Sequence, residues 1–406
     1  MRIFKSEFTY AQIFLLLIIF LFVLFVPGAD VYSHTHAAWL YNYMIKNKVI
    51  LNEDFSMLSG HQPLYGRGAP SYALAGFGWF VFGRHVIKAL ELLSLIGIIW
   101  LSFRLFKNKE ALFFWYGLIF IKILTFDAYP YFLSMFLFYL GIYLIKKFNK
   151  KPFGDFAIIM AGINHPYIAL TNLATIFFGR TLLFLINIVI LIAHIFILKY
   201  VFFSGILNFD SNATNVIFAN LFDITIRSVV LLFPFLVEFM QKFSVRIFNL
   251  KTAYCLTIAG AFLIYSTFAT PEKIGLQERM KCYYKQNYLE IPVLSGNIRI
   301  VDSCEKWMYV SPLKGLVLSV SNEGHGQYYF SKWTLKKYME YLNKSNTSYV
   351  IFCKNCRVTT RTLQDTGELN ILKENFPVYA DLRDYTIFDV KTVNGEVTVP
   401  NALTPS

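Results

Sequence analysis

Asp30, His34, His36 and His61 fall in one segment, Gly28–Gly68, between two apolar runs. It opens Gly28-Ala-Asp30-Val-Tyr-Ser33-His34-Thr-His36-Ala-Ala-Trp39. Carboxylates and imidazoles are side chains able to exchange protons near neutral pH. The same residue types could instead hold a divalent metal ion through Asp30, His34 and His61. Ser33 predicts an N-cap, with a helix running from it to about Lys48. His34 and His36 stand two positions apart on that helix and so project from different faces. A second stretch, Gly60-His61-Gln-Pro63-Leu-Tyr-Gly66-Arg67-Gly68-Ala-Pro70, is rich in glycine and proline and could fold back over the same place. The plainer alternative is that Asp30 only caps the helix or marks a membrane interface.

Further polar residues stand out because their surroundings are apolar. Asp127-Ala-Tyr-Pro130 closes one hydrophobic run, and Asn164-His165-Pro166 interrupts another. Arg227 lies in an apolar run four residues after Asp223, so it could bind an anion or pair with Asp223 across one helical turn. His165 either contributes to a site or satisfies backbone groups released by the break. His194, alone in its run, reads as a helix–helix hydrogen bond.

The elements that must position these residues are mostly membrane spans. The chain has 406 residues, of which 56% are hydrophobic and only 16% charged, where soluble domains carry about 25% charged residues. That balance argues against a soluble enzyme. Apolar runs fall at Ala11–Val26, Val86–Phe103, Ala111–Phe126, Tyr131–Ile145, Leu182–Phe203, Val216–Met240 and Thr252–Phe268. A signal peptide is the rival reading of the first. Pro70–Phe82 is too short to span comfortably, and Ala157–Phe178 is broken by Gly162, Asn164, His165 and Pro166.

Residues 270–406 hold 17 Lys and Arg against 14 Asp and Glu, so +10 of the formal +13 lies in the earlier part. There it clusters beside apolar runs, as at Lys146, Lys147, Lys150 and Lys151. This is the pattern of cytoplasmic loops and argues against a nucleic-acid partner. Arg104/Lys107/Lys109, Lys146–Lys151 and Lys242/Arg246/Lys251 then all face the cytoplasm. The parity works if Pro70–Phe82 dips in and returns, and if Ala157–Phe178 forms two half-helices that return at Arg180. The N-terminus is then cytoplasmic, and Gly28–Arg67, Asp127–Pro130, Gly205–Asn215 and everything after Pro271 lie outside. Sequons at Asn212, Asn343 and Asn346 would all face outward.

The expected division is a polytopic membrane domain, 1–270, and a soluble extracytoplasmic α/β domain, 271–406. Ile298–Val301, Gly315–Val320, Tyr349–Phe352 and Tyr385–Val390 read as strands, with a helix over Lys332–Asn343. Cys353-Lys-Asn-Cys356 suits a local disulfide on an oxidising side, with Cys282 and Cys304 as a second pair or all four as a zinc site.

A first span, then Asp30 with downstream His34, then a long helix-bearing loop ending in Gly/Pro/Tyr, resembles the C-type (GT-C) membrane glycosyltransferases. Within them the chain is most similar to polytopic proteins labelled YfhO-like or "6-pyruvoyl-tetrahydropterin synthase-related"; no pterin-synthase zinc triad is present. Asp127-Ala-Tyr-Pro130, Asn164-His165-Pro166, the helix–strand Trp333–Phe352 and the closing Asp384–Val390 extend the resemblance over most of the chain. It implies a mainly α, polytopic GT-C bundle with broken or re-entrant helices. It also implies transfer of a sugar from a polyprenyl-phosphate-linked donor to a glycan or protein acceptor on the outer face of the bilayer. Asp30 would be the base, assisted by His34 or His36; His61, Arg67, Asp127, His165 and Arg227 would bind substrate. Metal-dependent members of the broader fold carry an acidic pair in the first loop. Here Val-Tyr follows Asp30, and Glu53-Asp54 comes much later. A transporter of a lipid or sugar, or a non-catalytic scaffold of the same fold, are the competing readings.

Overall fold

The computed structural model describes residues 10–25, 31–48, 69–109, 111–113, 115–117, 119, 129–203, 231–235, 237–238, 294, 297–301, 317–320, 333–344, 347–354, 367–383 and 385–391. Most of these are helical, with one small sheet. The chain divides into two compact units. One comprises Met1–Val31, Arg67–Phe196 and Val216–Met280; the other comprises Tyr32–Gly66, Ile197–Asn215 and Lys281–Ser406.

The helical unit contains α1 (Tyr10–Phe25), α3 (Ala69–Phe82), α4 (Val86–Leu105), α5 (Tyr129–Phe148), α6 (Lys151–Asn164), α7 (Pro166–Asn172) and most of α8 (Thr181–Phe203). Among the described residues, two helical stretches are long and apolar enough to cross a membrane: Pro70–Leu105, mean hydropathy 2.0, and Tyr129–Phe148, mean hydropathy 1.4. The first reverses at a 3₁₀ turn, Gly83–His85, where Gly83 adopts φ +53°, a conformation open to glycine. The reversal brings Gly78 so close to Val86 that a Cβ there would meet Val86 Cγ2 at 2.8 Å.

α4 and α5 run side by side in the same direction, with Gly97 against Phe136 and Trp100 against Tyr143 at 5.6 Å between rings. α6 runs back along α5. They touch where both backbones lack side chains, and a Cβ on either Gly141 or Gly154 would meet the other's carbonyl oxygen at 2.7 Å. At His165 the chain reverses again. Asn172 Nδ2 donates to Ile158 O at 2.9 Å, and Arg180 pairs with Asp155. Arg104, Lys146, Lys147, Lys151 and Arg180 consequently gather at one end of this unit.

The described C-terminal elements are β1 (Asn297–Val301), β2 (Val317–Val320), α9 (Leu335–Lys344), β3 (Thr347–Cys353), α10 (Glu368–Asn375), β4 (Val378–Asp381) and β5 (Tyr385–Asp389). The sheet order is β2-β1-β3-β5-β4; β1 lies parallel to β2 and β3, while β5 lies antiparallel to β3 and β4. Period-two alternation sends Val350, Phe352 and Phe388 to one face, where Tyr338 and Leu342 of α9 and Ile371 and Leu372 of α10 cover them. Four strands and α9 fall where their periodicity predicts. β4 and α10 add to that expectation: β4 is a four-residue edge strand with Val378 and Tyr379 exposed, so burial leaves little pattern in it.

Candidate functional site

The helix of the first long connection, α2 (Val31–Asn47), belongs from Tyr32 onward to the second unit. It begins two residues earlier than its N-cap signal suggests, because Val31 is already helical and Ser33 lies in the first turn. Lys48, at φ +55°, ends it. The separation of His34 and His36 onto different faces holds: His34 is half-buried and His36 is fully buried. His36, Trp39 and Tyr43 form one aromatic row at helical spacing, with ring centroids 5.9 Å and 5.6 Å apart.

Two adjacent side chains of α2 carry an unusual burden. Thr35 and His36 are both inaccessible to solvent. Among the described residues Thr35 Oγ1, His36 Nδ1 and His36 Nε2 have no hydrogen-bond partner. Each such buried atom costs about 1–3 kcal/mol. Burial also pushes the His36 imidazole down to about 3, so it stays neutral at physiological pH. A neutral imidazole offers one donor and one acceptor, which suits orienting a partner better than relaying a proton. Tyr41, on the same helix, is raised by burial and remains a phenol.

In the helical unit, His165 sits between α6 and α7, buried, with its ring edge-on to Tyr131 at 5.5 Å. Its backbone carries the reversal. Its N–H donates to Ala161 O at 3.1 Å, and its carbonyl accepts from Ile168 and Ala169 at 3.0 and 3.1 Å. The side chain of Asn164 binds the neighbouring helices. Asn164 Nδ2 donates to Pro130 O at 3.0 Å and Ser134 Oγ at 2.6 Å, while Oδ1 accepts from Ser71 N at 3.0 Å and from Ser71 Oγ. Tyr129 OH closes the group on Ser71 O at 2.7 Å. The Asn164 side chain and the His165 backbone thus both supply hydrogen bonds at the break. His194 Nε2 lies 2.9 Å from Gly162 O, the helix–helix hydrogen bond expected of it.

Asp30, His61, Arg67, Asp127 and Arg227 lie outside the described residues, as do Asp223, Cys282, Cys304 and Cys356. Among the described residues no group of three or more His, Cys, Asp or Glu could hold a metal ion. The residues passed over in the sequence are Thr35, the buried pair Lys88–Glu91 at 3.0 Å, and the amide pair Asn172–Asn187 at 2.8 Å. Two charges inside an apolar run were a legible signal for Lys88 and Glu91. A threonine in a helix carries no such signal. The chain matches no protein-family model, no curated protein and no solved structure.

Proposed function

We propose that this chain is a multi-pass membrane protein of glycosyltransferase type, moving a sugar from a polyprenyl-phosphate-linked donor to a glycan or protein acceptor on the outer face of the cell membrane. The observation that carries the site is α2, where Thr35 and His36 are wholly buried and unpartnered just after Asp30. Asp30 acts as base, and His36 is free to hydrogen-bond a substrate hydroxyl.

The membrane part of the reading is supported by where the apolar side chains point. Ile13, Leu17, Leu21 and Leu24 of α1, and Leu182, Leu185, Val189 and Ile192 of α8, are exposed at helical spacing, as are Leu74, Phe77 and Val81 of α3. Lys88, Glu91, Asn164, His165, Asn172 and Asn187 are buried instead. Water penalises that arrangement and hydrocarbon favours it. The gathering of basic residues at one end of the helical unit agrees with a cytoplasmic face there. The N-terminus is then cytoplasmic and the sheet-bearing domain extracytoplasmic.

Sugar transfer from radiolabelled polyprenyl-phosphate sugars in native membranes tests the proposal. The native chain transfers, and Asp30→Asn at matched expression does not; equal transfer by both would remove Asp30 from the mechanism. A second reading, a transporter of a lipid or sugar, is favoured by the amide pair and the buried ion pair beside a broken helix. Substrate accumulation in sealed vesicles without any transfer product would select it.

A further inference from the structure

Positive charge and exposed aromatic surface coincide where α5 turns into α6. The chain there reads Lys146-Lys147-Phe148-Asn149-Lys150-Lys151-Pro152-Phe153. Asn149, at φ +51°, makes the turn, and Lys150 N–H donates to Leu144 O at 3.1 Å. The Gly141–Gly154 contact fixes the two helices on either side. Four cations are thus held within six residues, and all four are exposed.

The nearby groups that could answer them are engaged elsewhere. Asp155 pairs with Arg180, and Glu238 accepts the Lys107 N–H at 2.6 Å. Among the described residues, none of Lys146, Lys147, Lys150 and Lys151 has an ion-pair partner. Helix dipoles account for only half of the set. Lys146 and Lys147 lie in the last turn of α5, where the dipole favours cations, but Lys150 and Lys151 open α6, where it opposes them.

Beside the lysines, Phe148, Phe153 and Phe156 are each more than half exposed. Phe153 and Phe156 stand three positions apart, on one flank of α6. Phe148 also ends a row of rings: it lies 5.4 Å from Tyr143, which lies 5.6 Å from Trp100, and Arg104 Cζ sits 5.9 Å from the Trp100 ring. Cations interleaved with rings at the ends of apolar helices fit a headgroup layer, the rings at its apolar edge and the ammoniums among the phosphates. Four uncompensated ammoniums favour a lipid whose phosphate carries no ammonium of its own. We propose that this surface binds anionic phospholipid headgroups in preference to zwitterionic ones. The inference rests on the membrane reading and not on the transferase one.

The test uses the full-length protein reconstituted in vesicles of phosphatidylcholine and phosphatidylglycerol, with spin-labelled forms of each lipid as probes. The native chain associates with the labelled anionic lipid about fivefold more strongly, the effect of roughly one close lysine. That ratio falls toward one in about 0.5 M salt. Changing Lys146, Lys147, Lys150 and Lys151 together to glutamine brings it near one in low salt, and changing them to arginine keeps it. Lys150→Gln/Lys151→Gln, which leaves the α5 pair to hold the orientation, loses at least half of the preference. Lys336→Gln/Lys337→Gln, which removes exposed charge from α9, leaves it unchanged. A preference that survives the fourfold glutamine change, or that falls equally in the α9 variant, would overturn the proposal. Protein that resists an alkaline carbonate wash yet shows a native ratio near one would overturn it while leaving the membrane reading intact. Protein that binds anionic vesicles through these lysines but is stripped by the wash would sustain the surface and remove the membrane-spanning reading.

Discussion

The two units bury opposite things. Around the C-terminal sheet, Val350, Phe352, Leu372 and Phe388 are hidden, while the pair Lys354–Asp381 stands at the surface, 2.6 Å apart. There Lys354 and then Thr386 hold the Asp381 carboxyl below its ordinary range. Tyr349 likewise holds the Lys391 ammonium above its own through a hydrogen bond. In the helical unit an ion pair, three amides and two histidines are buried, while leucine, valine and phenylalanine form the outer faces. Under the proposed membrane reading, one hydrophobic effect would produce both patterns, each unit having its own solvent. Helices in hydrocarbon gain little by hiding leucine from one another, so small residues and polar ties hold them together. On that reading the Gly141–Gly154 contact and the Asn164 group would do that here. In water the gain comes from the leucines themselves.

The contrast can be broken at several points. The largest effect is expected at the helix contact: Gly141→Leu drives a side chain into the Gly154 carbonyl and should cost about 3 kcal/mol or more. Loss of monodisperse protein in detergent checks it. Next is the outer face of α8, where Leu185→Lys should cost about 3 kcal/mol in a bilayer and impair insertion. Near-native insertion would mean that this face meets water, and the contrast would collapse.

A smaller effect separates α2 from both units' surfaces. The His36 imidazole resists protonation down to about 3 in the folded chain, whereas the unfolded chain takes the proton near 6.5. Stability from this group is therefore fully present above about pH 6.5 and falls as pH drops toward 3, by roughly 1.4 kcal/mol per unit. Thermal melts at pH 7 and pH 5 should show a larger loss for the native chain than for His36→Leu. Equal losses would show that His36 has a partner for its charged form. The smallest effect is expected for Lys354→Ala, which breaks an exposed pair and should leave the melting temperature within error at physiological salt.

Much of this is legible in the sequence. Run lengths located the helices α1, α4, α5 and α8, since an apolar helix leaves an unbroken signal. Asn164-His165-Pro166 announced a break, because proline cannot donate the hydrogen bond that a continuing helix needs. Alternation located β1, β2, β3 and β5. The start of α2 came out two residues off, since serine in a first turn and serine at a cap look alike in sequence.

Sequence alone determined which stretches are apolar and where they must break, because periodicity, proline and glycine act locally. Tertiary structure alone decided that α3 and α4 reverse on each other, that Asn164 reaches Ser71, Pro130 and Ser134 across the break, and that Thr35 and His36 are buried without partners. These are matters of what lies across from a residue. A side chain's hydrogen-bonding partner is set by chain reversal in space, and spacing along the chain does not encode it.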